Sequence, residues 1–233
     1  MPADSPQLTL HSARIGAVQT VPVALSVFAY GMVYGLLTNE AGLTLLETVL
    51  SSGLVFAGSA QFVTLDMWVH PLPLDALVFT TLIINLRHVL MSASLTPWMR
   101  GMKLRVTCPL LFLLVDESWA LTYGALSKGK ADVGFLLGSG VVLWFTWMGA
   151  TLTGRTLGAA IPDPALFGLD FAFTAVFLAL LTGLWKGKGD IPSWGVAALT
   201  ALVVHAFVPG KWYIVAGGIA GSVTGLWSLR ASR

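Results

Sequence analysis

In a chain with few charges, the ionisable side chains that interrupt apolar runs are the ones able to do chemistry. One such run reads Thr80-Thr-Leu-Ile-Ile-Asn85-Leu-Arg87-His88-Val-Leu-Met-Ser92-Ala-Ser94. On a regular helix Asn85, His88 and Ser92 stand at i, i+3 and i+7 and share one face, while Arg87 projects about 100° from His88. A guanidinium flanked by an amide and an imidazole suits a carboxylate, which it grips through two parallel N–H groups as a lysine does not. The alternative is that Arg87 snorkels toward a lipid headgroup, because a basic loop follows shortly after it. A second run, Leu113-Leu-Val-Asp116-Glu117-Ser118-Trp119, sets two carboxylates side by side among apolar residues. Adjacent acids in such surroundings repel, so one of them could exchange a proton as its surroundings change; equally, they could pair with Arg87 and hold two helices together. A third group is Gly58, Ser59 and Gln61, where small residues admit a close neighbour and Gln61 offers both donors and acceptors. These three lie open to either helix packing or substrate contact. Asp170, near the start of a later apolar run, reads as interfacial.

These groups need a scaffold, and the composition dictates its kind. Of 233 residues, 56% are hydrophobic and 10% charged, with a net charge of +2 and a mean hydropathy of +0.81. Soluble domains carry about 25% charged residues, so this chain cannot cover a water-facing surface. The single cysteine, Cys108, excludes an internal disulfide, and the scattered basic residues give no nucleic-acid footprint. A helix crossing ~30 Å of hydrocarbon needs ~20 mainly apolar residues. Candidate spans fall at 15–37, 46–69, 74–95, 109–127, 133–153, 165–185, 192–208 and 211–229. A transmembrane β-barrel would alternate apolar and polar residues instead, which the continuous apolar run Phe171 to Leu181 does not. The expected fold is all-α, a polytopic membrane bundle of about seven to eight spans: a polar tail over 1–14, one transmembrane domain over 15–229 and a short tail over 230–233.

Two features bear on its organisation. The densest basic loop, Arg100, Lys103 and Arg105, belongs in the cytoplasm by the positive-inside rule. With three full spans before it, either the amino terminus faces outward or one early segment is re-entrant, and 51–62, rich in small residues, is the candidate. In addition, residues 53–62 match residues 168–177 at six of ten positions, an offset of 115. Paired repeats with a site between them are common in transporters, although apolar sequence has a small alphabet. In the last span Gly217, Gly221 and Gly225 recur every four residues, a ridge for close helix packing within the chain or against a partner.

Enzyme signals are weak. The four histidines, His11, His70, His88 and His205, are isolated, and neither a zinc motif nor a phosphate-binding loop is present. The sequence calls for no metal, cofactor or catalytic residue. A Ser–His dyad from Ser139 and His205, as in an intramembrane protease, is the enzyme arrangement that merits a check.

Taken together, Val55-Phe-Ala-Gly58-Ser-Ala-Gln61-Phe62, then Asn85-Leu-Arg87-His88, then Asp116-Glu117, and finally Gly218-Ile-Ala-Gly221-Ser-Val-Thr-Gly225 resemble the successive signature blocks of the AzlC-like branched-chain amino acid exporters, over about residues 15–229. The resemblance implies export of valine, leucine and isoleucine, sometimes methionine, across the bacterial cytoplasmic membrane. It further implies drive from an ion gradient and a separate small membrane subunit of the AzlD type. Substrate contacts would fall to Gly58, Ser59, Gln61, Asn85, Arg87 and His88, and proton coupling or an ion pair to Asp116 and Glu117. A permease for another small solute, or a structural membrane subunit without a pathway, are the competing readings.

Overall fold

The computed structural model describes residues 7–159, 178, 182, 187–209 and 212–231. Among them regular structure is helical throughout, with no strand. The order is α1 (Leu10–Glu40), α2 (Leu45–Leu50), a π-helical turn (Ser51–Val55), α3 (Gly58–Asp66), α4 (Leu74–Met99), α5 (Leu104–Phe112), α6 (Asp116–Ser127), α7 (Gly134–Ala159), α8 (Ile191–Phe207) and α9 (Trp212–Ala231). A 3₁₀ turn, Lys188–Asp190, leads into α8. Four helical stretches are long and apolar enough to cross a membrane: Leu10–Glu40, Leu74–Met99, Gly134–Ala159 and Lys188–Phe207. The chain forms two compact units, Met1–Gln61 with Asn85–Pro162, and Phe62–Ile84 with Asp163–Arg233.

The first unit is built on α1 and α7. α1 begins at Leu10, five residues before the apolar run, because Thr9 caps it: the Thr9 hydroxyl accepts from the Ser12 N–H at 3.1 Å. The same residue is tied to Asp132 ahead of α7, its N–H and hydroxyl donating to the two carboxylate oxygens at 3.1 and 2.6 Å. Asp132 in turn accepts from the Gly134 N–H at 2.7 Å and so caps α7. Past Glu40 the chain turns at Gly42, whose φ of +76° strains any residue with a Cβ. Between the two helices glycines remove the side chains that would hold the backbones apart. Gly138 faces the Ala13 carbonyl, and Gly154 faces that of Met32. Matched positions rise together along both helices, from Ala13 with Gly138 to Met32 with Gly154, so α1 and α7 run parallel.

Two expected spans are not continuous helices. The run 46–69 breaks into α2, the π turn and α3. A capping box fixes the start of α2, with the Thr44 hydroxyl and Glu47 carboxylate bonded reciprocally to each other's backbone N–H. Phe56, at φ 42°, ends the π turn in the left-handed region. The freed Gly53 carbonyl accepts from Trp144 Nε1 at 3.1 Å, and the Gln61 carboxamide oxygen accepts from the Ala57 N–H at 3.2 Å. The run 109–127 likewise parts at Leu113–Val115. There the fully buried Ser118 hydroxyl accepts from the Val115 N–H and lies 2.9 Å from the Leu113 carbonyl. The acids Asp116 and Glu117 then occupy the first turn of α6, where the helix dipole favours negative charge.

In the second unit α8 and α9 pack antiparallel through the glycine ridge. A Cβ on Gly221 would lie 2.8 Å from the Ala197 Cβ, and one on Gly217 would lie 3.0 Å from the Ala197 carbonyl oxygen. Gly225 lies opposite Ser193. The ridge therefore packs within the chain. The expected span 165–185, Asp170 and the second copy of the internal match lie outside the described residues, apart from positions 178 and 182.

Candidate functional site

Arg87 lies near the midpoint of α4 and reaches two other elements of the first unit. Its Nη1 pairs with Asp116 Oδ2 at 2.6 Å, and its Nη2 donates to Ser59 Oγ at 2.5 Å. Asp116 is the first residue of α6 and Ser59 the second of α3, so one guanidinium joins the amino-terminal ends of two helices that begin at breaks. The two side chains are 37% and 48% exposed, and the pair is open on one side. Arg87 Nε and Asn85 Oδ1 are buried without a hydrogen-bond partner among the described residues. The Arg87 Nε donor thus remains unmatched within the guanidinium that makes the pair.

The remaining predicted residues divide. Gly58 seats α3 against the Trp147 ring, which a Cβ would approach to 3.1 Å. Gln61, 1% exposed, does not line an opening: its amide donates to Ser51 Oγ at 3.2 Å, Ser51 Oγ shares a 2.7 Å hydrogen bond with the Tyr34 hydroxyl, and the group holds the broken segment in place. The helical stripe of Asn85, His88 and Ser92 does not act together either. His88 Nδ1 lies 3.2 Å from the Asn85 carbonyl of its own helix, and the Ser92 hydroxyl donates to the Val89 carbonyl at 3.0 Å. Arg87, off that stripe, makes the contacts, because its length lets it reach sideways to both neighbours. Glu117 is exposed and forms no ion pair among the described residues. Ser139 donates to the Leu136 carbonyl at 3.2 Å, and His205 stacks edge-on with Tyr213, ring centres 5.0 Å apart, so each has a structural partner.

Sequence reasoning passed over a second arginine. Arg155, in the last turns of α7, donates through Nη1 to the Thr38 and Thr48 hydroxyls at 3.2 and 2.9 Å, and its carbonyl accepts from Asn39 Nδ2 at 2.5 Å. It falls two residues beyond the apolar run 133–153 and so reads as a loop residue. The pattern Thr38-Asn39 at the end of α1, with Thr48 in α2, was the available signal.

A family model described as AzlC protein matches residues 22–161. The chain is 27% identical to "Branched-chain amino acid transport protein AzlC" of Bacillus subtilis over 168 residues, covering 71% of this chain and 65% of that one. It is 28% identical to an uncharacterized membrane protein of Archaeoglobus fulgidus over 92% of this chain and 94% of the relative. It is 25% identical to the inner membrane protein YgaZ of Escherichia coli over 97% of this chain and 95% of the relative. No solved structure matches.

Proposed function

Because the chain belongs to the AzlC family and is a membrane transporter, we propose that it exports branched-chain amino acids, valine, leucine and isoleucine and in addition methionine, from the bacterial cytoplasm as the large subunit of a two-component secondary exporter. The name of the Bacillus subtilis relative, a branched-chain amino acid transport protein, supports the substrate class. The signature blocks support a small AzlD-like membrane subunit as partner. The observation that carries the mechanism is the open Arg87–Asp116 pair.

A zwitterion brings one carboxylate and one ammonium. When it enters between the paired groups, its carboxylate replaces Asp116 on the Arg87 guanidinium, and its ammonium replaces Arg87 beside Asp116. The exchange leaves no charge unpaired, which matters where an isolated charge costs ~2.5–3.5 kcal/mol on insertion scales. The apolar side chain lies toward Phe56 and Phe112, whose ring centres are 6.2 Å apart. Protonation of Asp116 removes the negative end of the pair, weakens the ammonium site and favours release, which couples transport to the proton gradient by differential affinity.

The test is reconstitution with a candidate small subunit in proteoliposomes, with valine flux and internal pH followed together. Arg87→Lys should lower valine flux at least about tenfold, since a lysine cannot hold the carboxylate through two parallel bonds. Asp116→Asn should abolish valine-dependent proton movement. Valine flux unchanged in Arg87→Lys, or proton movement unchanged in Asp116→Asn, overturns the reading.

A further inference from the structure

The directions of the helices in the first unit restrict how the chain can thread a bilayer. α1 and α7 run parallel. α4 runs the opposite way to α7: Met91, Leu95 and Met99 at its carboxyl end join Val133 and Leu136, at the start of α7, in one apolar cluster. Arg87, about three turns before Met99, instead meets Ser59, whose neighbour Gly58 sits on Trp147, halfway along α7. The chain therefore leaves α1 and enters α4 on one face, and leaves α4 and enters α7 on the other. Between α1 and α4 lie 33 residues, and between α4 and α7 lie 34. Crossing ~30 Å of hydrocarbon and returning takes ~40 residues. Helices α5 and α6, at 9 and 12 residues, extend only about 13 and 18 Å. Neither segment can cross twice.

We propose that residues 41–73 and 100–133 are two re-entrant hairpins that enter the bilayer from opposite faces and meet tip to tip at Arg87, with the amino terminus and the loops at 100–105 and 128–132 in the cytoplasm. The tips touch directly: Phe56 of the first faces Phe112 of the second across 6.2 Å, and Arg87 bonds Ser59 of the first and Asp116 of the second. Along α7 the contacts of the tips, at Trp147 and at Gly140 (which faces Leu113), are separated by about 10 Å at ~1.5 Å per residue. Arg87 bridges that gap. Non-helical backbone at membrane depth is tolerated only when enclosed by protein, and Phe56, Ala57, Leu113 and Leu114 are all buried.

Charge supplies an independent argument. Arg100, Lys103, Arg105, Lys128 and Lys130 all fall on the face where α1 starts, whereas residues 41–73 contain no lysine or arginine. The positive-inside rule then makes that face cytoplasmic. The arrangement holds whichever solute crosses, and its test makes no use of transport.

The experiment is single-cysteine labelling of the full chain in a Cys108→Ser background, with a membrane-impermeant maleimide applied to right-side-out and inverted membrane vesicles. Ala41→Cys and Val69→Cys should react at least about tenfold faster in right-side-out vesicles, and Lys103→Cys and Lys130→Cys at least about tenfold faster in inverted ones. His70→Cys and Lys128→Cys substitute for any variant that fails to insert. Reaction of positions 41 and 69 from opposite faces, of 103 and 130 from opposite faces, or of all four from one face overturns the proposal.

Discussion

The contribution of the Arg87–Asp116 pair can be separated from that of its members by a double-mutant cycle on Arg87→Gln, Asp116→Asn and the two combined. Two unit charges with centres about 4 Å apart attract by ~4 kcal/mol at an effective dielectric constant of about 20. The side chains are 37% and 48% exposed, and partly exposed pairs retain only a fraction of that, about 1–2 kcal/mol. Either single change also leaves a charge near the middle of α4 without its partner, which brings the cost of each to about 2 kcal/mol. For a chain of this size 1 kcal/mol shifts Tm by about 2–4 °C, so each single variant should melt about 4–8 °C below the parent in detergent. The double variant has no stranded charge and should melt no lower than either single variant, which puts it at least about 2 kcal/mol short of additivity. Transport separates structure from function, because the double variant should be stable and still carry no valine. Additive Tm losses would refute the coupling, and a double variant that transports at the parental rate would refute the placement of substrate between the two groups.

Two further outcomes follow from the packing. Burial acts to raise the Asp132 carboxyl, but hydrogen bonds from Thr9 and Gly134 outweigh it and hold the group below its ordinary value of 3.8. A depressed carboxyl stabilises the fold above its unfolded value and loses that contribution as pH falls through the folded value. Acidification below about pH 4 should therefore loosen residues 7–14, read as faster amide exchange there, and Asp132→Asn should show that exchange at neutral pH already. Gly138→Leu and Gly154→Leu would drive side chains into the carbonyls of Ala13 and Met32. Each should lower stability by more than about 3 kcal/mol or prevent insertion, whereas Gly149→Leu, which meets nothing within 4 Å, should leave the melting temperature within about 2 °C of the parent.

Apolar length alone reveals α1, α4, α7 and α8, because a membrane-crossing helix has little other sequence signature. It does not reveal the break at Leu113–Val115, since a half-helix buried in protein is as apolar as a whole one; the break at Phe56 falls within 51–62, where the small residues supplied the signal that length does not. The polar residues in those runs carried two kinds of information. Gln61 and Ser118 bond to backbone that the breaks set free, whereas Arg87, Asp116 and Ser59 bond to one another through side chains. From sequence the two kinds look alike, which is why Gln61 reads as a substrate contact. The adjacent acids Asp116 and Glu117 also mark a helix start: acids gather in first turns, and the serine that caps this one follows directly. In a chain that cannot hydrogen-bond to lipid, every interruption of a helix must be satisfied from within, so a polar residue in an apolar run marks a break as readily as a binding site. What distinguishes the two is whether its partner is backbone or side chain. By that criterion Arg87 and Arg155, whose guanidinium bonds among the described residues are to side chains on two other elements, are the residues whose contacts a solute can replace without unfolding the helix that carries them, and Arg87 adds an ion pair with a carboxylate.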